Sequence, residues 1–143
     1  MRIVVDTNVL VGALHKNGGP ARRVILACLR KQYRPVVGVA LFTEYEDVFQ
    51  RANLWKRSLV GPAERAEVFS SFAAACSWTE VFFLWRPNLR DESDNCIIET
   101  AVAGGASVIV TRNVRDLRSG DLRFPDIDIL TPEQLLTRFP CPP

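Results

Sequence analysis

The sequence predicts an α/β fold, a three-layer α/β/α sandwich around a mostly parallel central sheet. Short apolar runs rich in β-branched residues alternate with segments whose apolar residues recur at helical spacing. This alternation is typical of parallel strands joined by crossover helices. The chain has 143 residues, 48% hydrophobic and 24% charged. We therefore expect a single domain over residues 1–143, with a short non-helical tail from about residue 140.

The predicted fold begins with a strand at residues 2–5, which are apolar on both faces, as in a buried parallel sheet. Residues 6–14 predict a short helix, because the Asp-Thr-Asn sequence at its start suits an N-cap. A second helix begins at Pro20, which suits a first helical turn, and ends before Pro35. Residues 36–39 predict the second strand.

A third helix is predicted over about residues 40–52, where the apolar residues form one stripe. The Gly-Pro pair at 61–62 precedes a fourth helix, whose apolar positions continue to residue 76. Residues 78–84 are aromatic and β-branched and predict a strand. Residues 87–90 predict a loop.

The last part of the chain predicts a helix at residues 92–103 with one apolar face, capped by the glycines at 104–105. Residues 108–110 and 127–130 predict the remaining strands. The Thr-Pro-Glu-Gln sequence at 131–134 places a threonine at an N-cap and a proline at the first helical position. It therefore predicts the start of a final helix.

The net charge of +2 conceals an asymmetry between the two parts of the chain. Residues 1–57 hold ten Lys and Arg against four Asp and Glu, giving +6, whereas the remainder holds eight against twelve, giving −4. A basic half beside an acidic half suits a nuclease, because cations hold phosphates while carboxylates hold a metal. Ordinary solvated faces explain the charge alone equally well.

Several classes of protein are excluded by composition. No apolar run approaches the ~20 residues that a membrane helix needs, and Asp6 interrupts the apolar start, so we expect neither a membrane span nor a signal peptide. The four cysteines follow no metal-binding or disulfide-rich spacing, which indicates thiols in a reducing compartment. The expected location is therefore the cytoplasm.

Four acidic residues stand where a metal-dependent phosphodiesterase needs them. Asp6 ends the first strand, Glu44 and Asp94 fall on the apolar stripes of predicted helices, and Asp116 follows the strand at 108–110 by a short loop. Carboxylates on buried faces are costly unless they are paired or bind a cation. Because a divalent cation turns their mutual repulsion into binding energy, we interpret the four as the catalytic and metal-binding residues.

Each acid has a simpler structural explanation when taken singly. Asp6 could serve as an N-cap or a turn residue, and Glu44 could lie at the boundary of the buried helix face. Asp116 could be an acid of a surface loop. Asp94 suits the first turn of its helix, where the dipole favours negative charge, after Asp91 as N-cap. These separate explanations do not account for the joint placement of the acids, which stand at two strand ends, on a helix stripe and at a helix start.

The ligand type predicts a hard cation, Mg²⁺ or Mn²⁺, because the candidate ligands are oxygen atoms and His15 is the lone histidine. Thr111 and Asn113 are either turn formers or residues that orient ligands and water around the ion. Thr7 and Asn8, which follow Asp6, are expected to act in the same way. The sequence contains no P-loop and no dinucleotide-binding glycine motif.

Four segments together resemble a known family. They are Arg-Ile-Val-Val-Asp-Thr-Asn-Val-Leu at 2–10, Phe-Thr-Glu-Tyr at 42–45, Asp-Glu-Ser-Asp at 91–94, and Val-Ile-Val-Thr-Arg-Asn-Val-Arg-Asp-Leu at 108–117. In this order they resemble a PIN domain, and most closely the VapC-like ribonucleases that are toxins of toxin–antitoxin pairs. The resemblance extends over roughly residues 2–138.

The resemblance implies a three-layer α/β/α fold and Mg²⁺- or Mn²⁺-dependent cleavage of single-stranded RNA. Asp6, Glu44, Asp94 and Asp116 match the acidic positions of the family, and Asp91 supplements Asp94 as a metal ligand. At position 113 the chain has Asn where many members have Asp, and Asp116 follows three residues later. Either residue is therefore a candidate for the fourth position.

The resemblance also implies partners, namely a single-stranded RNA substrate, an antitoxin protein that occupies the cleft, and a second copy in a homodimer. The basic residues of the first half are candidates to follow the RNA backbone. They are Arg22, Arg23, Arg30, Lys31 and Arg34.

Two other metal-dependent classes fit less well. A haloacid-dehalogenase phosphatase needs a second acid two residues after Asp6, where Asn8 stands. A receiver domain needs an adjacent acidic pair near the first strand, and none is present. The alternative that stays open is a degenerate PIN module that binds RNA or assembles with partners without catalysis.

Overall fold

The computed structural model describes residues 1–81, 92–119 and 124–141, with the main chain alone at 92–93. Its central sheet has five strands in the order β3-β2-β1-β4-β5, and every neighbouring pair is parallel. The strands are β1 (Arg2–Val5), β2 (Arg34–Val37), β3 (Ser77–Trp78), β4 (Val108–Val110) and β5 (Asp128–Leu130). The predicted α/β class with a parallel sheet is confirmed.

Helices connect the strands, as parallel pairing requires. The described helices are α1 (Thr7–His15), α2 (Pro20–Leu29), α3 (Val39–Phe49), α4 (Pro62–Ala75), α5 (Glu92–Gly104), α6 (Val114–Leu117) and α7 (Pro132–Arg138), with a 3₁₀ turn at Ala52–Trp55. α5 packs against β1, β2, β4 and α3, while α2 packs against α1, α4 and α7. None of these described helices is long and apolar enough to cross a membrane.

Strand β1 lies at the centre of the sheet and of the core. Ile3, Val4 and Val5 are fully buried, since β2 and β4 flank the strand and helices pack on it. Val5 pairs with Val110, so the residues that follow these two, Asp6 and Thr111, leave the sheet side by side. We call this end of the sheet the carboxyl edge, and the end where the strands begin the amino edge.

Two helix boundaries form as their sequences predict. Gly105 has a φ of +66°, which favours glycine, and it follows the end of α5. Thr131 caps α7 in a capping box, in which its side chain accepts from the Gln134 N–H and the Gln134 side chain accepts from the Thr131 N–H.

Several boundaries differ from those predicted, and one short helix was not predicted. Strand β2 ends at Val37 because Gly38 and Val39 begin α3, with Val39 exposed. Strand β3 has two residues, and 79–81 are not in a strand, while the rest of the predicted strand at 78–84 and the predicted loop at 87–90 lie outside the described residues. The one-turn helix α6 occupies a stretch predicted as loop, since four residues are too short to show a helical period.

Candidate functional site

Asp6 is a buried carboxylate at the carboxyl edge, with 7% of the residue exposed. It occupies the N-cap position of α1, but its side chain does not cap the helix. Its Oδ2 instead accepts hydrogen bonds from Thr111 Oγ1 at 2.7 Å and from Asn8 Nδ2 at 3.3 Å. Two donors on one oxygen stabilise the charge and fix the orientation of the carboxylate.

The same hydrogen bonds join the start of α1 to the loop that follows β4. Asn8 Oδ1 accepts from the Arg112 N–H at 3.1 Å, and Thr111 Oγ1 accepts from the Asn113 N–H at 2.9 Å. The Asp6 N–H donates to the Val110 carbonyl at 2.9 Å. Asn8 and Thr111 therefore both contact the Asp6 carboxylate, and their predicted role of orienting a metal ligand stays a prediction.

Glu44 lies on the half-buried side of α3 and reaches the same edge. Its Oε1 accepts a hydrogen bond of 2.9 Å from Thr7 Oγ1, and Thr7 directly follows Asp6. The next residue, Tyr45, is buried and donates its hydroxyl to the Val5 carbonyl. Burial above all raises the pKa of Tyr45, and the nearby Cys76, Asp6, Cys28 and Glu44 add to the rise.

Asp94 is half-buried in the first turn of α5. Helical spacing places it on the face of Ile97, Ile98 and Ala101, which are buried. α5 leads to the amino edge, where β4 begins, so its first turn belongs to the carboxyl edge. Asp94 therefore begins a helix at the same end of the sheet as Asp6.

The described residues do not gather the predicted acids into one cluster. Asp116 and Asn113 are both exposed, Asp116 in α6 and Asn113 just before it. Asp91 lies outside the described residues. Across residues 1–81, 92–119 and 124–141, no group of three or more His, Cys, Asp or Glu side chains lies close enough to hold a metal ion.

The donor set nevertheless fits a hard divalent cation in its chemistry. Asp6 and Glu44 offer carboxylate oxygens, and each has one oxygen hydrogen-bonded by a hydroxyl of the neighbouring Thr111 or Thr7. Oxygen ligands oriented by outer hydrogen bonds are what Mg²⁺ and Mn²⁺ require. Asp6 and Glu44 are the described carboxylates held in this way, and a shared ion with Asp94 stays a prediction.

Arg22, predicted to contact RNA, is packed inside the fold. The residue is 7% exposed, and its guanidinium donates to the Ala13 carbonyl at 3.1 Å and to Glu64 Oε1 at 3.0 Å. These bonds tie α2 to α1 and α4. The burial and these two partners give the Arg22 guanidinium a structural role inside the fold, not one at a surface that binds phosphates.

The other predicted RNA contacts are exposed, and three of them lie at the amino edge. Arg30 and Lys31 follow the end of α2, and Arg34 begins β2, where its N–H donates to the Met1 carbonyl. The four residues of β1 separate this edge from Asp6 by about 13 Å. Arg23 is exposed on α2. The three residues at the amino edge therefore lie away from Asp6.

Two cations at the carboxyl edge were not singled out from the sequence. Arg112 comes two residues after the end of β4, Arg115 lies in α6, and both are exposed. The signal was present in the Thr-Arg-Asn-Val-Arg run after a buried strand, since ligands of parallel sheets bind beyond the carboxyl ends of strands. These two residues lie nearer to Asp6 along the sheet than the basic residues at the amino edge.

Comparisons with known proteins agree with this architecture. A family model described as PIN domain matches residues 2–115. A chain of the crystal structure of VapBC2 from Rickettsia felis, bound to a DNA fragment from their promoter, superposes with a TM-score of 0.59 at 15% sequence identity. The match covers 90% of this chain and 97% of that chain, and at this identity it shows the fold alone. No curated protein sequence matches the chain.

Proposed function

Because the chain belongs to the PIN domain family, we propose that it is a metal-dependent endoribonuclease that cleaves single-stranded RNA. One observation carries the proposal. The buried Asp6 carboxylate at the end of β1 accepts two side-chain hydrogen bonds, from Thr111 and Asn8, while Thr7 next to it binds Glu44. A buried charge is costly, and an arrangement that holds it in one orientation is typical of a ligand prepared for a cation.

In this proposal, Asp6, Glu44 and Asp94 hold Mg²⁺ or Mn²⁺, with Asp91 beside Asp94. The fourth position belongs to Asp116, or to Asn113 acting through water. When bound, the ion supplies a Lewis acid that favours attack of water on the phosphodiester and stabilises the leaving oxygen.

The other residues of the site orient the ligands. Thr111 and Asn8 hold the Asp6 carboxylate in one rotamer, and Thr7 does the same for Glu44. Preorganised ligands lose little conformational entropy when they bind an ion or a substrate. The hydroxyl and amide groups thus contribute to affinity without contacting the scissile phosphate.

The proposed biological role is that of a toxin in a toxin–antitoxin pair. The similar structure from Rickettsia felis is VapBC2 bound to a DNA fragment from their promoter, which supports a protein partner for this fold. We propose an antitoxin that covers the carboxyl edge, a homodimeric assembly and action in the cytoplasm. Co-expression of the chain with the product of a small neighbouring gene, followed by purification of a complex, tests the partner.

Cleavage of labelled RNA tests the activity. Wild-type protein is expected to cut a mixed pool of single-stranded RNA with Mg²⁺ or Mn²⁺ and to lose this activity in EDTA. Asp6→Asn, Glu44→Gln and Asp94→Asn are each expected to abolish cleavage while circular dichroism and thermal unfolding stay close to wild type. Asp126→Asn, at an exposed acid away from these residues, serves as the matched control. Full activity in Asp6→Asn would refute the assignment.

A non-catalytic PIN module that binds RNA is the second candidate. The observation that favours it is that the described residues gather no group of three potential metal ligands. This candidate predicts RNA binding without cleavage and no heat of Mg²⁺ binding in a calorimetric titration. RNA cleavage that requires both the metal and Asp6 would exclude it.

A further inference from the structure

Arg112 is connected to the candidate site through its main chain. Its N–H donates to Asn8 Oδ1 at 3.1 Å, and Asn8 Nδ2 donates to Asp6 Oδ2 at 3.3 Å. Two hydrogen bonds therefore separate the Arg112 main chain from the Asp6 carboxylate. Arg112 follows Thr111 directly, so its main chain lies at the carboxyl edge.

The Arg112 side chain extends away from Asp6 to the first turn of α7. Its Nη1 contacts both carboxylate oxygens of Glu133, at 2.5 and 2.6 Å. Within the described part of the chain, Nη2 and Nε make no hydrogen bond. The side chains of Arg112 and Glu133 are 41% and 50% exposed. The guanidinium thus keeps donors available on a surface that solvent and ligands can reach.

The geometry points to Arg112 as a phosphate-binding residue for single-stranded RNA, with Glu133 as a carboxylate that competes with the phosphate. This inference rests on the proposed function, because Asp6 marks where the RNA is cut. The ends of β1, β4 and β5 lie in a row, and they lead to Asp6, Arg112 and Glu133 in that order. A strand of RNA crossing Asp6 toward β5 would place a flanking phosphate on Arg112.

Glu133 competes because its charge has the sign of a phosphate. The hydrogen bond from Arg112 is the main cause that lowers the pKa of Glu133, so the carboxylate stays ionised at neutral pH. An exposed ion pair contributes only about 0.2–1 kcal/mol, and a phosphodiester offers the guanidinium the same paired acceptor oxygens. A phosphate can therefore replace the carboxylate at little cost, and the carboxylate in turn weakens RNA binding.

RNA binding in EDTA, measured by fluorescence anisotropy of a labelled 12-nucleotide single strand, tests the inference without cleavage. Arg112→Ala is expected to weaken binding roughly tenfold at low salt. It should also reduce the slope of log K against log salt by about 0.7, the value for one phosphate contact on a single strand. Glu133→Gln removes the charge and keeps the shape, so it is expected to tighten binding about two- to fivefold. In the Arg112→Ala background, Glu133→Gln should change nothing.

The Arg138–Asp128 pair supplies matched controls. It is another exposed ion pair involving α7, at 3.4 Å, but it lies where β5 begins, at the amino edge. Arg138→Ala and Asp128→Asn are expected to leave the salt slope unchanged. The inference would be overturned if Arg112→Ala and Arg138→Ala reduced the salt slope of RNA binding equally. It would also be overturned if Glu133→Gln tightened RNA binding in the Arg112→Ala background.

The same experiment separates this inference from the proposed function. If RNA binding depends on Arg112 as expected but the RNA is not cut when Mn²⁺ is added, the proposed nuclease activity is refuted. The inferred phosphate contact of Arg112 is then still supported. RNA that is cut with unchanged affinity in Arg112→Ala refutes the phosphate contact alone. Wild-type protein that does not bind RNA at all refutes both.

Discussion

Thr111 Oγ1 donates a 2.7 Å hydrogen bond to Asp6 Oδ2 between the ends of the two adjacent central strands. The two residues are 105 positions apart in the sequence. They meet because Val5 and Val110 are paired in the parallel register of β1 and β4. One sheet register therefore sets the orientation of the carboxylate on which the proposed chemistry depends.

Thr111→Val is expected to lower both stability and activity. Valine keeps the shape of the fully buried side chain but leaves the Asp6 carboxylate and the Asn113 N–H without this partner. A hydrogen bond to a charged group contributes about 1.5–3 kcal/mol. We therefore expect the free energy of unfolding, measured with urea, to fall by that amount. RNA cleavage should fall with it.

Thr100→Val is the matched control for this substitution. Thr100 is equally buried, but its hydroxyl donates to the Cys96 carbonyl inside α5. We expect a stability loss of about 1 kcal/mol or less and unchanged cleavage per folded molecule. Equal effects of the two substitutions on cleavage would show that the bond to Asp6 has no special role.

Gly104→Ala is expected to destabilise the fold by about 1–3 kcal/mol through overpacking. A Cβ at this position of α5 would come within contact distance of the Val36 side chain of β2, with Cγ1 well inside van der Waals range. Val36→Ala should recover part of this loss in the double variant. Thermal or urea unfolding of the single and double variants measures the coupling.

Gly12→Ala is expected to stabilise the fold, in contrast to Gly104→Ala. In α1 the added Cβ would meet the Ala21 Cβ at 3.5 Å, an ordinary contact. Alanine is favoured over glycine in a helix interior by about 0.5–1 kcal/mol, so this variant should be more stable than wild type. A destabilised Gly12→Ala would mean that α1 and α2 pack more tightly than the structure indicates.

The free energy of unfolding is expected to fall as pH rises above 9. Burial raises the pKa of Cys28 well above its ordinary value of 9.0 and that of Cys76 to about 12. The native state keeps these protons while the unfolded state loses them, so each group lowers stability by up to about 1.4 kcal/mol per pH unit in this range. Urea unfolding at pH 8, 9 and 10 measures the slope.

Cys28→Ala tests the cause of this slope. The substitution removes a fully buried thiol, and the decline between pH 9 and 10 should become shallower, whatever the stability at pH 8. If the free energy of unfolding of Cys28→Ala falls between pH 9 and 10 as steeply as that of wild type, other groups cause the decline.

The basic residues predicted to contact RNA are expected to separate into two kinds. Arg22→Ala breaks the buried bonds to Ala13 and Glu64 and should cost about 1–3 kcal/mol in stability without changing the salt slope of RNA binding. Alanine at Arg30, Lys31 and Arg34 together tests the contacts predicted at the amino edge. A slope reduced by about 0.7 for each residue would establish them as phosphate contacts, and an unchanged slope would exclude them.

The sequence predicts those elements of the fold that a local pattern of residues specifies. The apolar run before Asp6 and the Thr-Pro-Glu-Gln cap at 131–134 each specify an element without knowledge of the rest of the chain. The helical stripe of Asp94 likewise predicted which face it lies on. Four-residue α6 and two-residue β3 are too short for such patterns, and tertiary packing determines them.

The site itself was predictable only in part, because side-chain partners are long-range. Thr7 and Glu44 are 37 positions apart, and nothing in either local sequence specifies their hydrogen bond. The same holds for Arg22, whose basic character suggested phosphate binding although its guanidinium is buried between α1 and α4. The position of Arg112 after a buried strand can be read from the sequence, but its hydrogen bond to Asn8 depends on the pairing of β1 with β4.

Titration with Mn²⁺, followed by electron paramagnetic resonance of the free ion, tests most directly whether Asp6, Glu44 and Asp94 share one cation. Wild-type protein and the Asp126→Asn control should bind Mn²⁺ equally. Asp6→Asn, Glu44→Gln and Asp94→Asn should each weaken binding at least about tenfold while remaining folded. Mn²⁺ binding of wild-type strength in all three variants would contradict a shared metal site.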